Sequence, residues 1–290
     1  KFENNNFSIL KDNLFLRNIK YKNIEILKLI SFLVRDKNWN NYNPEIIKTS
    51  TYKTDDNLNF EFDLKYGNNE KLEVKILLIV KDHSIKLSAK GKFLTDFWTN
   101  RIGFNLLLPL EGVVGQKINI TNSNSSSELS KFPLNISPNQ PMVKFNNLSY
   151  QMFDSLDLNI KFSGIHFEME DQRNWGDASY KIYSGSLLDP FPFKENINSI
   201  FHQEIEISIS EKNNFSLKIE DNNFLSDDLS QELQMPEIGI KIDDDSNFDK
   251  NFDVDFLYHI IDFEKPIHSN KNFFNKPVYL IALIDHAKNI

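Results

Sequence analysis

Apolar and polar residues alternate through the first three quarters of the chain, as in Phe60-Glu-Phe-Asp-Leu64, Leu156-Asp-Leu-Asn-Ile-Lys-Phe162, Ile205-Glu-Ile-Ser-Ile209 and Phe215-Ser-Leu-Lys-Ile219. A period of two gives a strand one buried and one wetted face. The longer apolar runs Leu72 to Val80 and Phe104 to Leu108 predict strands covered on both sides. Turn-like breaks fall at Gly67-Asn-Asn69, Asn122 to Ser127 and Lys212-Asn-Asn214. Many strands with short punctuated connections predict a mainly β chain with a large antiparallel β-sandwich over residues 1–234.

The pattern changes near Met235. Glu237-Ile-Gly-Ile-Lys-Ile242 reads as a strand. Phe252, Phe256, Leu257, Ile260 and Ile261 share one helical face and predict a helix over 252–263, and Val278-Tyr-Leu-Ile-Ala-Leu-Ile284 reads as a buried strand. Strand, helix, strand is the parallel βαβ unit. Residues 235–290 are therefore expected to be parallel βαβ elements.

Composition narrows the function classes. A formal charge of -8, with no Lys/Arg run, argues against a nucleic-acid partner. The absence of cysteine removes disulfides, a thiol nucleophile and cysteine-ligated zinc. No apolar stretch approaches the roughly 20 residues that span a bilayer, so no membrane partner is expected and the cytoplasm is the expected compartment. The chain begins at Lys1 without Met, which leaves its true amino terminus open. Neither a G-x-S-x-G elbow, nor a phosphate loop, nor helical His spacing for zinc is present, and no cofactor or metal is expected.

Candidate chemistry concentrates in Gly164 to Tyr183. Glu168, Glu170, Asp171, Arg173, Asp177 and Lys181 bring both signs of charge, Asn174 brings an amide, and Trp175, Tyr180 and Tyr183 offer apolar walls. Sugars are held in this way, by charged groups on hydroxyls and aromatic faces on C–H surfaces. The same residues also fit a solvated charged loop. Glu168 and Glu170 are two apart and would share a strand face with His166, so one of them could serve as a base. Against this, Arg173 could simply pair with Asp177, and Glu168 could be a solvated edge residue. Arg35-Asp36 with Trp39 and Tyr42, and Asn100-Arg101, form two further constellations, open to the alternative of interstrand ion pairs. Trp175 is expected to be mostly buried, as the apolar anchor of a polar loop.

Glu168-Met-Glu-Asp-Gln-Arg-Asn-Trp-Gly-Asp-Ala-Ser-Tyr-Lys181 resembles a segment of bacterial D-apionate lactonases, enzymes of branched-pentose catabolism. Phe32-Leu-Val-Arg-Asp-Lys-Asn-Trp39, Asn100-Arg-Ile-Gly-Phe104 and Phe132-Pro-Leu-Asn-Ile-Ser-Pro-Asn-Gln-Pro141 are similar to the amino-terminal domain of that family, in the same order. Gly176 and Ile182 stand where the family usually has Thr, and Leu108 stands where a His is expected, which bears on fine specificity. The long order of strands resembles the supersandwich of galactose mutarotase-like proteins, and the family resemblance implies that a (β/α) barrel follows, with residues 235–290 as its first elements, cut short because a whole barrel needs about 250 residues. It implies hydrolysis of a sugar lactone to an aldonate, with Glu168 and Glu170 as catalytic candidates. Asp171, Arg173, Asn174, Trp175, Asp177, Lys181, Arg35 and Arg101 are then the substrate-binding candidates, and the sandwich would dock on the downstream barrel. The alternatives are a non-catalytic carbohydrate-binding or docking domain and a mutarotase-type epimerase. The main catalytic carboxylates are expected beyond Ile290, so the chain as it stands is expected to be a fragment.

Overall fold

The alternating segments of the first 212 residues become antiparallel strands in a computed structural model, which describes residues 1–54, 57–67 and 71–212 and the backbone of 239–241, 256–261 and 278–282. The first half contributes β1 (Phe2–Glu3), β2 (Phe7–Asp12), β3 (Phe15–Tyr21), β4 (Ile24–Asp36), β5 (Glu45–Thr54), β6 (Asn57–Tyr66), β7 (Leu72–Lys81), β8 (Ser84–Phe93) and β9 (Phe97–Pro109). The second adds β10 (Lys117–Asn122), β11 (Ser127–Lys131), β12 (Met142–Met152), β13 (Leu156–Ser163), β14 (Phe167–Asp171), β15 (Ser179–Ser184), β16 (Phe193–Glu195) and β17 (Ile200–Glu211). All seventeen belong to one sheet.

One run of pairings goes β5-β6-β7-β8-β17-β13-β12. The other goes β3-β4-β9-β15-β14-β12. Both end on β12, whose Met142–Phe145 half faces β14 and whose Asn147–Met152 half faces β13. The sheet doubles over there and its two runs pack as a sandwich. Between them Phe32 of β4 stacks on Phe201 of β17 at 6.3 Å, meets Phe104 of β9 edge-on at 5.4 Å and approaches Tyr66 of β6 at 6.4 Å. The inward residues of nearly every strand join one apolar cluster. Each such Phe, Ile or Leu contributes roughly 1.5–3 kcal/mol when taken out of water, so the period-two pattern is what holds this fold.

The expectation for Phe104 to Leu108 holds, since β9 is buried on both faces over almost its whole length. That for Leu72 to Val80 does not: β7 alternates, with Glu73 and Lys75 exposed and Leu77 and Ile79 only partly covered. The two charged side chains mark a wet face that the surrounding apolar residues had masked. The polar run at Asn122 to Ser127 is the β10–β11 turn, where Asn124 Oδ1 accepts from the Ser126 amide at 3.0 Å.

The chain divides into two units, Lys1–Leu217 and Lys218–Ile290. The boundary expected at 234/235 lies outside the described residues, as do the break at Asn213–Asn214 and the strand expected at Phe215–Ile219. In the second unit β18 (Gly239–Lys241), β19 (Phe256–Ile261) and β20 (Val278–Ala282) form a parallel three-stranded sheet in the order β18-β19-β20. The strands expected near 237–242 and 278–284 are present. The helix expected over 252–263 is not: Phe256–Ile261 is the central strand. Its run Phe-Leu-Tyr-His-Ile-Ile is aromatic and β-branched, and in so short a segment these preferences outweigh a spacing that also fits a helix.

Candidate functional site

The motif-bearing segment is a hairpin. Strands β14 and β15 pair Glu168 with Tyr183, Glu170 with Lys181 and Asp171 with Tyr180. β15 continues onto β9, with Tyr183 opposite Asn105, and β9 onto β4, with Asn105 opposite Ser31 and Arg101 opposite Arg35. Because successive side chains point to opposite faces, these registers put Glu168, Glu170, Lys181, Tyr183, Arg101 and Arg35 on the face turned away from the apolar cluster. Asp171 and Tyr180 fall on the other side. The two arginine constellations and half of the charged motif therefore converge, drawn from four neighbouring strands.

Glu168 is wholly buried. Its Oε1 accepts from Tyr183 Oη at 2.6 Å and from the Leu187 amide at 3.2 Å, and its Oε2 accepts from Ser186 Oγ. Burial and this carboxylate together push the Tyr183 phenol up, so it stays a donor. Arg101 lies against the other side of Tyr183, its guanidinium carbon 3.8 Å from the ring centre, and 5.3 Å from the Trp39 ring. Burial pulls Arg101 below its ordinary value, with Tyr183 and Glu168 opposing the shift. Trp39 is placed there by a tight turn in which Asp36 Oδ1 accepts from the amides of Asn38 and Asn40, each at 2.8 Å. Arg35 Nη1 then donates to the Trp39 carbonyl at 3.0 Å.

Lys181 and Glu170 sit at the rim of this cluster, 16% and 21% exposed, and pair at 3.4 Å. Burial lowers the Lys181 ammonium, opposed by Glu170 and reinforced by Arg101 and Arg35. Glu170 Oε1 also accepts from Trp175 Nε1 at 3.0 Å. Trp175 itself is 74% exposed, against the expectation of burial. The loop needs no apolar anchor, because ions hold it. It is a single 3-10 turn, Gln172–Trp175, capped by Asp171 at one end and by Gly176 in the left-handed conformation (φ 77) at the other.

Those ions are Asp171 and Arg173. Asp171 is buried and takes Arg173 in a two-pronged pair, Nε to Oδ1 at 2.9 Å and Nη2 to Oδ2 at 2.7 Å. The remaining guanidinium donors reach the carbonyls of Pro133, Leu134 and Asn135 at 2.9–3.2 Å. Tyr180 Oη donates to the Pro133 carbonyl at 2.5 Å, the Ser137 amide to Asp171 Oδ2 at 3.0 Å, and Asn174 Nδ2 to the Ser137 carbonyl. The hairpin is thus bolted to the Phe132–Pro141 loop. Burial pushes the Asp171 carboxyl up, but hydrogen bonds from Arg173 and the backbone hold it below its ordinary value. The alternative pairing of Arg173 with Asp177 is not formed: Asp177 accepts instead from Ser179 Oγ at 2.6 Å. His166 precedes β14 and meets Asp189 at 2.5 Å, where Lys144 also pairs at 2.8 Å.

Two partners of Glu168, Ser186 and the Leu187 amide, carried no signal in the sequence; they follow β15 in a turn that only the closed hairpin brings back. Two cavities among the described residues lie away from this cluster. One, of about 800 Å³, is lined by outward residues of β6–β8 and β17, including Asp63, Lys75, Lys90 and His202. The other, about 140 Å³, lies between the layers beneath Phe32 and Tyr66. Among the described residues no cluster of His, Asp and Glu suited to a metal ion occurs, and no helix is long and apolar enough to cross a membrane.

Residues 2–212 match the family model described as D-apionate lactonase, N-terminal domain. D-apionate lactonase of Brucella anthropi is 30% identical over 206 residues, 70% of this chain and 34% of that protein. The chain therefore spans about a third of the length of this relative. Among solved structures, a putative aldose 1-epimerase from Escherichia coli K12 is similar over 71% of this chain and 99% of its own, at 8% identity and a TM-score of 0.42. A galactose mutarotase-like protein from Lactobacillus casei is similar over 70% and 100%, at 7% identity and a TM-score of 0.44.

Proposed function

The chain belongs to the D-apionate lactonase N-terminal domain family, and from that premise we propose that it serves a carbohydrate hydrolase that opens a sugar lactone, D-apionolactone, to the aldonate. The observation that supports this most is the convergence of Arg35, Arg101, Lys181 and Glu170 with Trp39, Tyr183 and Trp175 on one non-core face. Charged donors beside aromatic faces are the chemistry that holds a polyhydroxylated ligand.

Opening the lactone requires water to add to the carbonyl carbon while a base takes its proton, and donors to stabilise the oxyanion before the ring C–O bond breaks. Of the two candidate carboxylates, Glu168 has both oxygens occupied and no exposure, which suits it to positioning Tyr183 and the turn at Ser186. Glu170 is the one a ligand can reach. We assign this face to ligand contact, and the groups that break the ring bond to a part of the enzyme other than this face; the chain spans about a third of the length of its relative.

The test is Ala substitution of Glu170, Arg173 and Asp177 in the full-length enzyme, with lactone opening followed at saturating substrate. Turnover is expected to fall by well under 10²-fold for each. A loss of 10² or more at Glu170 with the fold intact would place the general base in this domain.

A further inference from the structure

Arg101 is a buried cation, 9% exposed, and no carboxylate stands within ion-pair distance of it among the described residues. A guanidinium cannot shed its charge, and burying one without a counter-ion is costly. Its immediate cross-strand neighbour is another arginine, Arg35, in a position where like charges oppose each other. The Arg35 Nε is buried and has no hydrogen-bond partner. Lys181 adds a third positive group, close enough that Arg101 and Arg35 both disfavour its charge.

The carboxylates of the cluster do not discharge this. Glu168 lies near Arg101 and favours its charge, but its oxygens are occupied by Tyr183, Ser186 and the Leu187 amide. Glu170 is engaged by Lys181 and Trp175. Three cations thus face two carboxylates that are already satisfied. Instead of a counter-ion, Arg101 has the faces of Tyr183 and Trp39. Stacking of this kind fixes a guanidinium; it also hydrogen-bonds Tyr183, and the N–H groups that remain can meet a carboxylate, the group that matches a guanidinium in two-pronged geometry.

We propose that Arg101, supported by Arg35, is a carboxylate-binding subsite, and that this face retains a sugar acid in preference to a neutral sugar or lactone. The inference rests on the sugar-lactone function proposed above and adds to it the charge of the ligand. Ring opening turns a neutral ester into a carboxylate, so a charge-selective subsite distinguishes product from substrate.

The experiment is calorimetric titration of the 290-residue chain with D-apionate, with the neutral alditol D-apiitol and with acetate, at low salt and again at 0.5 M NaCl. D-apionate is expected to bind at least tenfold tighter than either of the others, with the preference reduced by salt. Arg101→Met is expected to abolish the preference, so that D-apionate binds no tighter than D-apiitol. A melting curve checks that this variant is folded; if it is not, Arg35→Gln takes its place, with a loss of at least threefold in the preference. Equal binding of D-apionate and D-apiitol overturns the charged subsite and leaves the sugar function standing, as does a preference that survives the substitutions. Acetate binding as tightly as D-apionate overturns sugar-acid retention and points to capture of a protein carboxylate. Binding of none of them overturns the assignment of this face to ligand contact and the subsite with it.

Discussion

Removing the Glu168 side chain should unsettle the domain far more than its catalytic candidacy would suggest. The carboxylate is fully buried and accepts three hydrogen bonds, from Tyr183 Oη, Ser186 Oγ and the Leu187 amide. Hydrogen bonds to a charged acceptor are worth about 1.5–3 kcal/mol each, but they do not add, and water entering the vacated space recovers part. Glu168→Ala also leaves Arg101 without its nearest negative charge. A loss of about 3–5 kcal/mol follows, the range for breaking a buried ionic arrangement on one side. In a domain of this size that is a fall in Tm on the order of 10 °C. Glu168→Gln should cost only about 1–2 kcal/mol. Its carbonyl oxygen can replace Oε1, which takes both Tyr183 and the Leu187 amide, and its amide can donate to Ser186 Oγ, a hydroxyl able to reverse its role. Urea unfolding followed by far-ultraviolet circular dichroism measures both. A cost for Glu168→Ala within about 0.5 kcal/mol, the range of ordinary surface changes, would refute the assignment of Glu168 as the residue that holds this turn.

Three further outcomes are expected. Trp175→Ala should change stability by no more than about 0.5 kcal/mol in the isolated chain, since the side chain is 74% exposed; a loss of several kcal/mol on urea unfolding would contradict this. Gly176→Thr should cost about 1–2 kcal/mol for the left-handed backbone alone, because a side chain there meets nothing within 4 Å, and an unchanged urea midpoint would refute the conformational account. Asp171 is held below its ordinary 3.8, so its contribution is complete above that pH and is lost as the pH falls through the lower folded-state value. Unfolding measured between pH 5 and 2 should show this acid loss in the parent and a shallower one in Asp171→Asn, and parallel profiles would count against it.

Much of the sandwich was legible because burial in a sheet writes directly onto alternation. Where both faces are covered the alternation disappears, and β9 was recognisable for that reason. β7 shows the limit: Leu77 and Ile79 are apolar yet stand on the wetted face, and only Glu73 and Lys75 betray it. β19 shows another, since Phe256, Ile260 and Ile261 satisfy a helical spacing yet lie within a six-residue strand. Spacing alone does not separate the two in a segment that short. The doubling-over at β12 had no local signature, being fixed by which half of one strand finds β13 and which finds β14.

At the site, the sequence disclosed which residues were unusual but not how they divide. The charged segment was open to two accounts, ligand binding or ion pairs that hold a loop, and the hairpin register lets both be true of different residues. Asp171, Arg173, Asn174 and Tyr180 tie the turn to Pro133–Ser137, which gives a physical reason for the two segments to resemble the family together. Glu170 and Lys181, one strand position off, pair with each other on the opposite face, the one that also carries Arg35 and Arg101. The arginines come from strands separated by more than sixty residues of chain and become neighbours only through the β4–β9 pairing. A clamp that fixes the hairpin's register is also what keeps Tyr183 and Glu168 opposite each other, and Tyr183 is the surface on which Arg101 rests. The structural half of the motif therefore sets the geometry of the half available to a ligand, and a substitution at Arg173 that lowers function without touching ligand would act by letting that register slip.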